Sequence, residues 1–295
     1  MLSLHTNAAS LSSQNAVGNT NKALTTALTR LGTGFRVNSA MDDAAGLQIA
    51  VRLDAQARGM AVAQKNTQNG ISMMQTAEGA FTELTNVLLR MKDLATEAYN
   101  ASTTADDKAA LQAEYDALGS ELANIMTTSS FGGQTLFGLN GATGLLGAAT
   151  GITFQIGASA AETMNVNTAA SLNDATNGLV PGLQAVSAFY AAAAPATPGT
   201  EMTDGNSIIT DINTAIDRVG TVRAQLGAAS NRLEHVYNNL GNMITNTKAS
   251  RGRIMDVDYA QETANATSKQ LLMQAGTSAL KQSSSLSQLV ISLMQ

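Results

Sequence analysis

The sequence of 295 residues has no cysteine, no tryptophan, three prolines and only 4% aromatic residues. Because cysteine is absent, disulfides, thiolate catalysis and cysteine-ligated zinc or iron–sulfur sites are excluded. Scarce proline favours long helices, and scarce aromatics favour a thin core of aliphatic side chains and thirteen methionines. Charged residues make up 13%, and the net charge of −5 argues against nucleic-acid binding, which requires a basic face.

Motifs for catalysis and metal binding are also missing. His5 and His235, the only histidines, lie on distant segments without an H-E-x-x-H pattern, and the glycines between Gly132 and Gly147 lack the G-K-[ST] ending of a phosphate loop. We therefore expect no enzyme activity, metal site or cofactor. Neither a signal-peptide pattern nor a run of 18 apolar residues is present, so we expect no cleaved leader and no membrane insertion.

Heptad spacing of apolar residues predicts two long helices, each with one hydrophobic seam. The seams are Met74, Ala77, Phe81, Leu84, Leu88, Met91, Ala95, Ala98 and Val219, Val222, Leu226, Ala229, Leu233, Val236, Leu240, Met243. The first helix is expected from about Gly59 to Asn100. A run from Leu111 to Ile125 predicts a third helix, capped by Thr103 or Thr104. The fold class is mainly α, with long antiparallel coiled-coil-like helices and paired N- and C-termini.

Both chain ends are predicted to be helices with little charge, since Lys22 is the only charged side chain between Met1 and Thr29. A solvated helix normally carries charge opposite its apolar stripe, so these ends are suited to packing on several sides, against each other and against other copies. The predicted packing residues are Leu4, Leu11, Leu24, Leu28, Leu31, Leu272, Ala275, Ala279, Leu286, Leu289 and Leu293.

The chain is predicted to divide into nested domains. Residues 1–42 with 257–295 form an inner domain of terminal helices, and residues 43–178 with 206–256 form a helical rod domain. Alternating apolar residues near 152–167 predict a β-hairpin in the rod domain. Residues 179–205 are predicted to be a short variable surface insertion.

A charge cluster of Arg36, Asp42, Asp43 and Arg52 follows the first terminal helix. Adjacent carboxylates are compatible with acid–base chemistry, but Asn38-Ser39 immediately upstream is typical of a helix start. The favoured interpretation is helix capping and salt bridges between subunits.

Longer motifs resemble bacterial flagellin. Residues 31–47 read L-G-T-G-F-R-V-N-S-A-M-D-D-A-A-G-L, where flagellins show R-L-S-S-G-x-R-I-N-S-A-x-D-D-A-A-G-L. Residues 223–228 read R-A-Q-L-G-A and residues 231–234 read N-R-L-E, similar to the family's R-A-x-L-G-A-x-x-N-R-L-E. The resemblance covers about residues 1–175 and 205–295.

This resemblance implies a subunit that self-polymerises into the extracellular flagellar filament for motility, as a helical homopolymer. It also implies type III export with a dedicated chaperone, and contact with the filament cap and junction proteins. Arg90, Leu94 and Glu114 match the pattern by which several flagellins contact the animal Toll-like flagellin receptor.

Two alternatives stay open at this point. The chain resembles a hook–filament junction protein in its terminal helices, although its agreement with flagellin along both rod segments argues against that assignment. The other alternative is a secreted adhesin or immune ligand that never polymerises.

Overall fold

The computed structural model describes residues 7–138, 144–191, 200–203 and 205–293, with the side chains at 191, 203, 205 and 286–293 outside the description. Two compact units divide the chain: a terminal unit of residues 1–57 and 245–295, and a central unit of residues 58–244. These boundaries fall inside two long helices, whereas the sequence placed them near residues 42 and 257.

Helices dominate the described residues, as the fold-class prediction required. In chain order the helices are α1 (Ala8–Thr33), α2 (Ala44–Ala98), α3 (Ala105–Thr128), α4 (Ala169–Asn173), α5 (Leu179–Val186), α6 (Ala188–Ala191), α7 (Gly205–Met255) and α8 (Tyr259–Leu293). Single 3-10 turns occur at Leu145–Gly147 and Glu201–Thr203. The long helix α2 begins earlier than its seam indicated, because Asp43 Oδ1 accepts the amide of Gly46 at 2.8 Å and stabilises the first turn.

The heptad seams of α2 and α7 form the core of the central unit. Five large side chains of these seams are fully buried: Phe81, Leu84 and Leu88 on α2, and Val222 and Leu233 on α7. The helices run antiparallel, since Glu78 pairs with Arg223 and the Gln64 amide donates to the carbonyl of Tyr237. Seam residues from Met74 to Ala98 and from Val219 to Leu233 therefore share one core. Leu240 packs with Met60 and Ala63, whereas Met243, also predicted as a seam residue, is 37% exposed.

The third helix is capped as the sequence indicated. The Thr104 hydroxyl accepts the amide of Asp107 at 3.2 Å, and the Asp107 carboxylate accepts the amide of Thr104 at 3.1 Å. Such a reciprocal capping box satisfies two amides that a helix N-terminus otherwise leaves unpaired. The Thr104 hydroxyl also donates to the Asp107 carboxylate at 2.6 Å, and this bond, followed by the one from the Thr104 amide, holds the pKa of Asp107 below its usual range.

The β-hairpin near 152–167 is confirmed. Strands β3 (Ile152–Gln155) and β4 (Thr163–Val166) pair antiparallel, with Ile152 opposite Val166. The hairpin rests on α2, where its turn residue Ala158 meets Gly59 and Phe154 meets Gly70. A smaller hairpin of β1 (Ser130–Phe131) and β2 (Gln134–Thr135), not predicted as strands, turns at Gly132 and Gly133, both with positive φ.

Part of the segment predicted as a surface insertion lies in the core. Leu179, Leu183 and Val186 of α5 are fully buried, and the Tyr115 hydroxyl donates to the carbonyl of Val186 at 2.7 Å. The surface prediction is therefore wrong for α5. The chain's three prolines, all in this segment, and an alanine run suggested a loop, while the apolar spacing of Leu179, Leu183 and Val186 was the overlooked helical signal. Residues 192–199 of that segment lie outside the described residues.

Candidate assembly surface

The terminal unit is built on the antiparallel pairing of α1 and α8. Asn7 donates to the carbonyl of Ser283 at 3.1 Å, and at the other end Arg30 lies 3.8 Å from Glu262. A Cβ placed on Gly276 of α8 would come within 2.7 Å of the Val17 side chain, so the α8 backbone packs directly against that side chain. The facing positions are half-buried or buried: Ser10, Ser13, Val17, Thr20, Leu24, Ala27 and Leu31 on α1, and Glu262, Ala266, Lys269, Met273, Gly276, Leu280 and Ser283 on α8.

The apolar seam predicted on α8 points away from α1. Leu272 is 53% exposed and its neighbour Leu271 is 61% exposed, while Ala275 and Ala279 are also exposed. With Tyr259, Leu271 and Leu272 line a shallow groove on the outer side of α8. The helix therefore presents an apolar face that the described residues of the chain leave uncovered. We call it the outer face of α8, made of Tyr259, Leu271, Leu272, Ala275 and Ala279.

The predicted packing residues of α1 divide between two faces. Leu24 and Leu31 are half-buried towards α8, whereas Leu11 is 58% and Leu28 is 56% exposed. These two leucines define the outer face of α1. Leu4 lies outside the described residues, and the side chains of Leu286, Leu289 and Leu293 are likewise outside the description.

Ionic contacts fix the corner where α1 ends and α8 begins. The Arg30 guanidinium lies between Asp42, at 3.9 Å, and Glu262, at 3.8 Å. The Asp42 carboxylate also accepts the amides of Ser39 and Asn38 at 3.0 and 3.1 Å. These two backbone hydrogen bonds, more than the Arg30 charge, hold the pKa of Asp42 below its usual range.

The predicted charge cluster is only partly assembled. Asp42 and Asp43 stabilise the turn and the first turn of α2, as the capping interpretation required. Arg36, however, donates to the carbonyl of Ile254 at 2.8 Å, and Arg52 is exposed, with no hydrogen bond or ion pair to any described residue. Neither arginine therefore contacts these carboxylates within the described chain, and their salt bridges between subunits stay a prediction.

Arg30 and Glu262 were not predicted as contact residues from the sequence. Both positions continue the 3-and-4 spacing of the facing positions on their helices, since Arg30 follows Ala27 and Glu262 precedes Ala266. Opposite charges at facing positions of two helices that carry few charges were the signal that could have identified this pair.

The three residues matched to a receptor contact do not share one surface. Arg90 and Glu114 form an exposed ion pair at 2.6 Å, with 53% and 46% of their side chains accessible. Leu94 is 1% exposed and belongs to the core of the central unit. A receptor cannot contact Leu94 without opening that core, so the prediction of Leu94 as a surface contact is wrong.

Two family descriptions match the chain. Residues 4–141 match the bacterial flagellin N-terminal helical region, and residues 209–294 match the bacterial flagellin C-terminal helical region. The chain belongs to the bacterial flagellin family. The resemblance seen in the sequence motifs is thereby confirmed. Members of this family are structural subunits of the extracellular flagellar filament, and the family is not known for enzyme activity.

Flagellins from two vibrios align over their whole lengths. Flagellin A of Vibrio anguillarum is 33% identical over 379 aligned positions, covering 100% of both chains. Flagellin D of Vibrio cholerae serotype O1 is 32% identical and covers 99% of both. Because the 379 aligned positions exceed the 295 residues here, the alignment leaves gaps opposite parts of the V. anguillarum flagellin.

A solved structure from Vibrio parahaemolyticus, described as a flagellar hook-associated protein, shares the fold. It superposes with a TM-score of 0.57 at 16% identity, over 73% of this chain and 100% of that one. At this identity the likeness concerns the fold alone. Within the described residues, no helix of this flagellin is long and apolar enough to cross a membrane, and no cluster of metal-ligating side chains occurs.

Proposed function

We propose that this flagellin polymerises through the outer faces of α1 and α8, which are covered by other copies in the filament. The observation that carries the proposal is the direction of the α8 seam, whose Leu271 and Leu272 are more than half exposed in the single chain. Each fully buried leucine contributes roughly 1.5–3 kcal/mol, so burial of this face is a strong driving force for association.

The low charge of both helices supports the same proposal. In α1 the charged residues are Lys22 and Arg30, and in α8 they are Glu262, Lys269 and Lys281. Arg30 and Glu262 already face each other. Copies that approach through these helices therefore desolvate few unpaired charges, which keeps the cost of burial low.

Leucine-to-glutamine variants test the outer face of α8. We expect Leu271→Gln combined with Leu272→Gln to raise the critical concentration for polymerisation at least about tenfold, since two apolar contacts are lost while helix propensity is kept. The measurement is sedimentation after seeding with short filament fragments, with negative-stain microscopy of the pellet.

Two comparison variants make the result specific. Lys281→Gln introduces the same side chain at an exposed charged position and should polymerise like the parent chain. Met273→Gln, on the side facing α1, should instead weaken the helix pair in the free subunit, as seen by circular dichroism. Normal seeded polymerisation of the double variant would contradict the proposal.

A second proposed function is recognition by the Toll-like flagellin receptor, favoured by the exposed Arg90–Glu114 pair and the 47% exposed Leu89 beside it. We expect Arg90→Ala to weaken binding of the monomer to the receptor ectodomain, with Lys65→Ala, another exposed cation of α2, as the control. Equal binding by both variants would count against this surface.

Further partners are proposed from family membership. They are the flagellar export apparatus, an export chaperone, and the filament cap and junction proteins. The junction-protein and non-polymerising ligand alternatives are separated from the filament role by abundance in sheared filaments and by deletion of residues 275–295, which should abolish polymerisation.

A further inference from the structure

Met41 is the most exposed large hydrophobic side chain among the described residues, at 97% accessible. It lies in the turn between α1 and α2, between Ala40 and the carboxylates of Asp42 and Asp43. An apolar side chain of this size gains nothing in the free subunit by standing in water. Burial against a partner would be favourable.

The turn holds Met41 on a fixed backbone. The Asp42 amide donates to the carbonyl of Ser39 at 3.1 Å, and the Asp42 carboxylate accepts the amides of Asn38 and Ser39. Arg30 ties the same carboxylate to the α1–α8 corner. A side chain presented from a preorganised backbone costs little further backbone entropy on contact, which favours its use as an anchor.

Among the methionines that the structure describes, Met41 is also the one most accessible to oxidants. The chain has no cysteine, so methionine is its only sulfur residue. Seven methionines are at most 5% exposed: Met60, Met73, Met74, Met91, Met126, Met164 and Met202. Met243 reaches 37%. Because oxidation follows accessibility, the described methionines differ sharply in reactivity.

We propose that Met41 is the first described methionine that peroxides oxidise in the free subunit, and that its side chain is buried by a second copy in the filament, so that the sulfoxide weakens assembly. This inference rests on the proposed function. The second copy is the occupant because Met41 belongs to the same compact unit as the outer faces of α1 and α8, held to them through Arg30.

The modification is a two-electron oxygen transfer. The Met41 sulfur attacks one oxygen of hydrogen peroxide, the O–O bond breaks, and that oxygen stays on the sulfur as a sulfoxide. The sulfur is oxidised by two electrons, and the other peroxide oxygen leaves as water after taking up the remaining hydrogens. The product side chain is polar, which disfavours an apolar contact.

Peroxide footprinting with peptide mass spectrometry tests both parts. In monomer, Met41 should be oxidised faster than Met243 and the seven buried methionines. In parent filaments, Met41 should be protected. Monomer oxidised before seeding should show a critical concentration about tenfold higher, the change expected for loss of one buried apolar side chain.

Three variants assign the effect to Met41. Met41→Leu removes the sulfur and should make assembly insensitive to prior peroxide treatment, whereas Met41→Gln should imitate the oxidised subunit without peroxide. Met243→Leu, in the central unit, should polymerise and respond to peroxide like the parent chain.

The outcomes separate this inference from the function on which it rests. If parent filaments form but Met41 is oxidised as fast in them as in monomer, or if Met41→Gln assembles like the parent, the inference is overturned and the proposed function stands. If another described methionine is oxidised first in monomer, the reactivity part is overturned. Failure of the parent chain to polymerise with seeds overturns the proposed function itself.

Discussion

Gly59 and Gly79 both lie in the middle of α2, yet their surroundings differ. A Cβ on Gly59 would come within 2.8 Å of the Ala158 Cβ in the hairpin turn, whereas a Cβ on Gly79 would meet nothing within 4 Å. The first glycine is required by the packing of the hairpin. The second costs helix stability without a compensating contact in the free chain.

Alanine substitutions should separate these two roles. Gly79→Ala is expected to stabilise the central unit by about 0.5–1 kcal/mol through helix propensity alone. Gly59→Ala gains the same helix propensity but must displace the turn at Ala158. The free energy of unfolding of the Gly59→Ala variant should therefore be lower than that of the Gly79→Ala variant. Urea denaturation followed by circular dichroism measures both. Equal stabilisation by the two substitutions would contradict this prediction, because the hairpin turn would then move at no cost in free energy.

At the scale of elements, the helix pair α1–α8 is held by less buried apolar surface than the central unit. Among its described side chains only Ala27, Ala266 and Glu262 are buried, whereas the central unit buries large residues such as Phe81 and Tyr115. The pair depends instead on the close contact between the backbone at Gly276 of α8 and the Val17 side chain of α1. A thin contact of this kind is sensitive to one added methyl group.

We therefore expect Gly276→Ala to loosen α1 and α8 together, because the new Cβ would lie 2.7 Å from Val17 Cγ2. Amide hydrogen exchange should speed up in both helices and stay unchanged in α3 and α5. Gly18→Ala, at an open position of α1, is the matched control and should slow exchange slightly. Unchanged exchange in Gly276→Ala would contradict a close-packed interface.

At the scale of the whole molecule, charge is divided unequally between the two units. The terminal unit contains nine Lys and Arg against six Asp and Glu, while the central unit contains eight against sixteen. Central units of neighbouring copies therefore repel one another, with a strength that depends on the ionic strength.

Added salt should consequently promote assembly. The critical concentration is expected to fall as NaCl rises towards about 0.15 M, where the screening length is about 8 Å, and to level off beyond it. Light scattering across a salt series measures this. Neutralising exposed carboxylates with Asp106→Asn and Asp217→Asn should flatten the response, and a critical concentration that rises with salt would contradict the repulsion.

Local pattern was sufficient for much of the fold. The heptads of α2 and α7, the Thr104 cap and the β3–β4 hairpin each depend on residues close in sequence, whose spacing fixes which face they share. The motif resemblance likewise identified the family, since residues 31–47 and 223–234 are contiguous in the chain. These features needed no knowledge of distant contacts.

Tertiary structure decided which faces those helices use. The sequence marked Leu272, Ala275 and Ala279 as a seam, but only the packing of α1 against Ala266, Met273 and Gly276 left that seam uncovered. Likewise, only the tertiary structure showed that α5 packs in the core despite its proline and that Leu94 is a core residue. It also showed that Arg36 donates to a backbone carbonyl. The physical reason is that periodicity defines an apolar face, whereas its partner depends on shape and charge brought together from far apart in the chain.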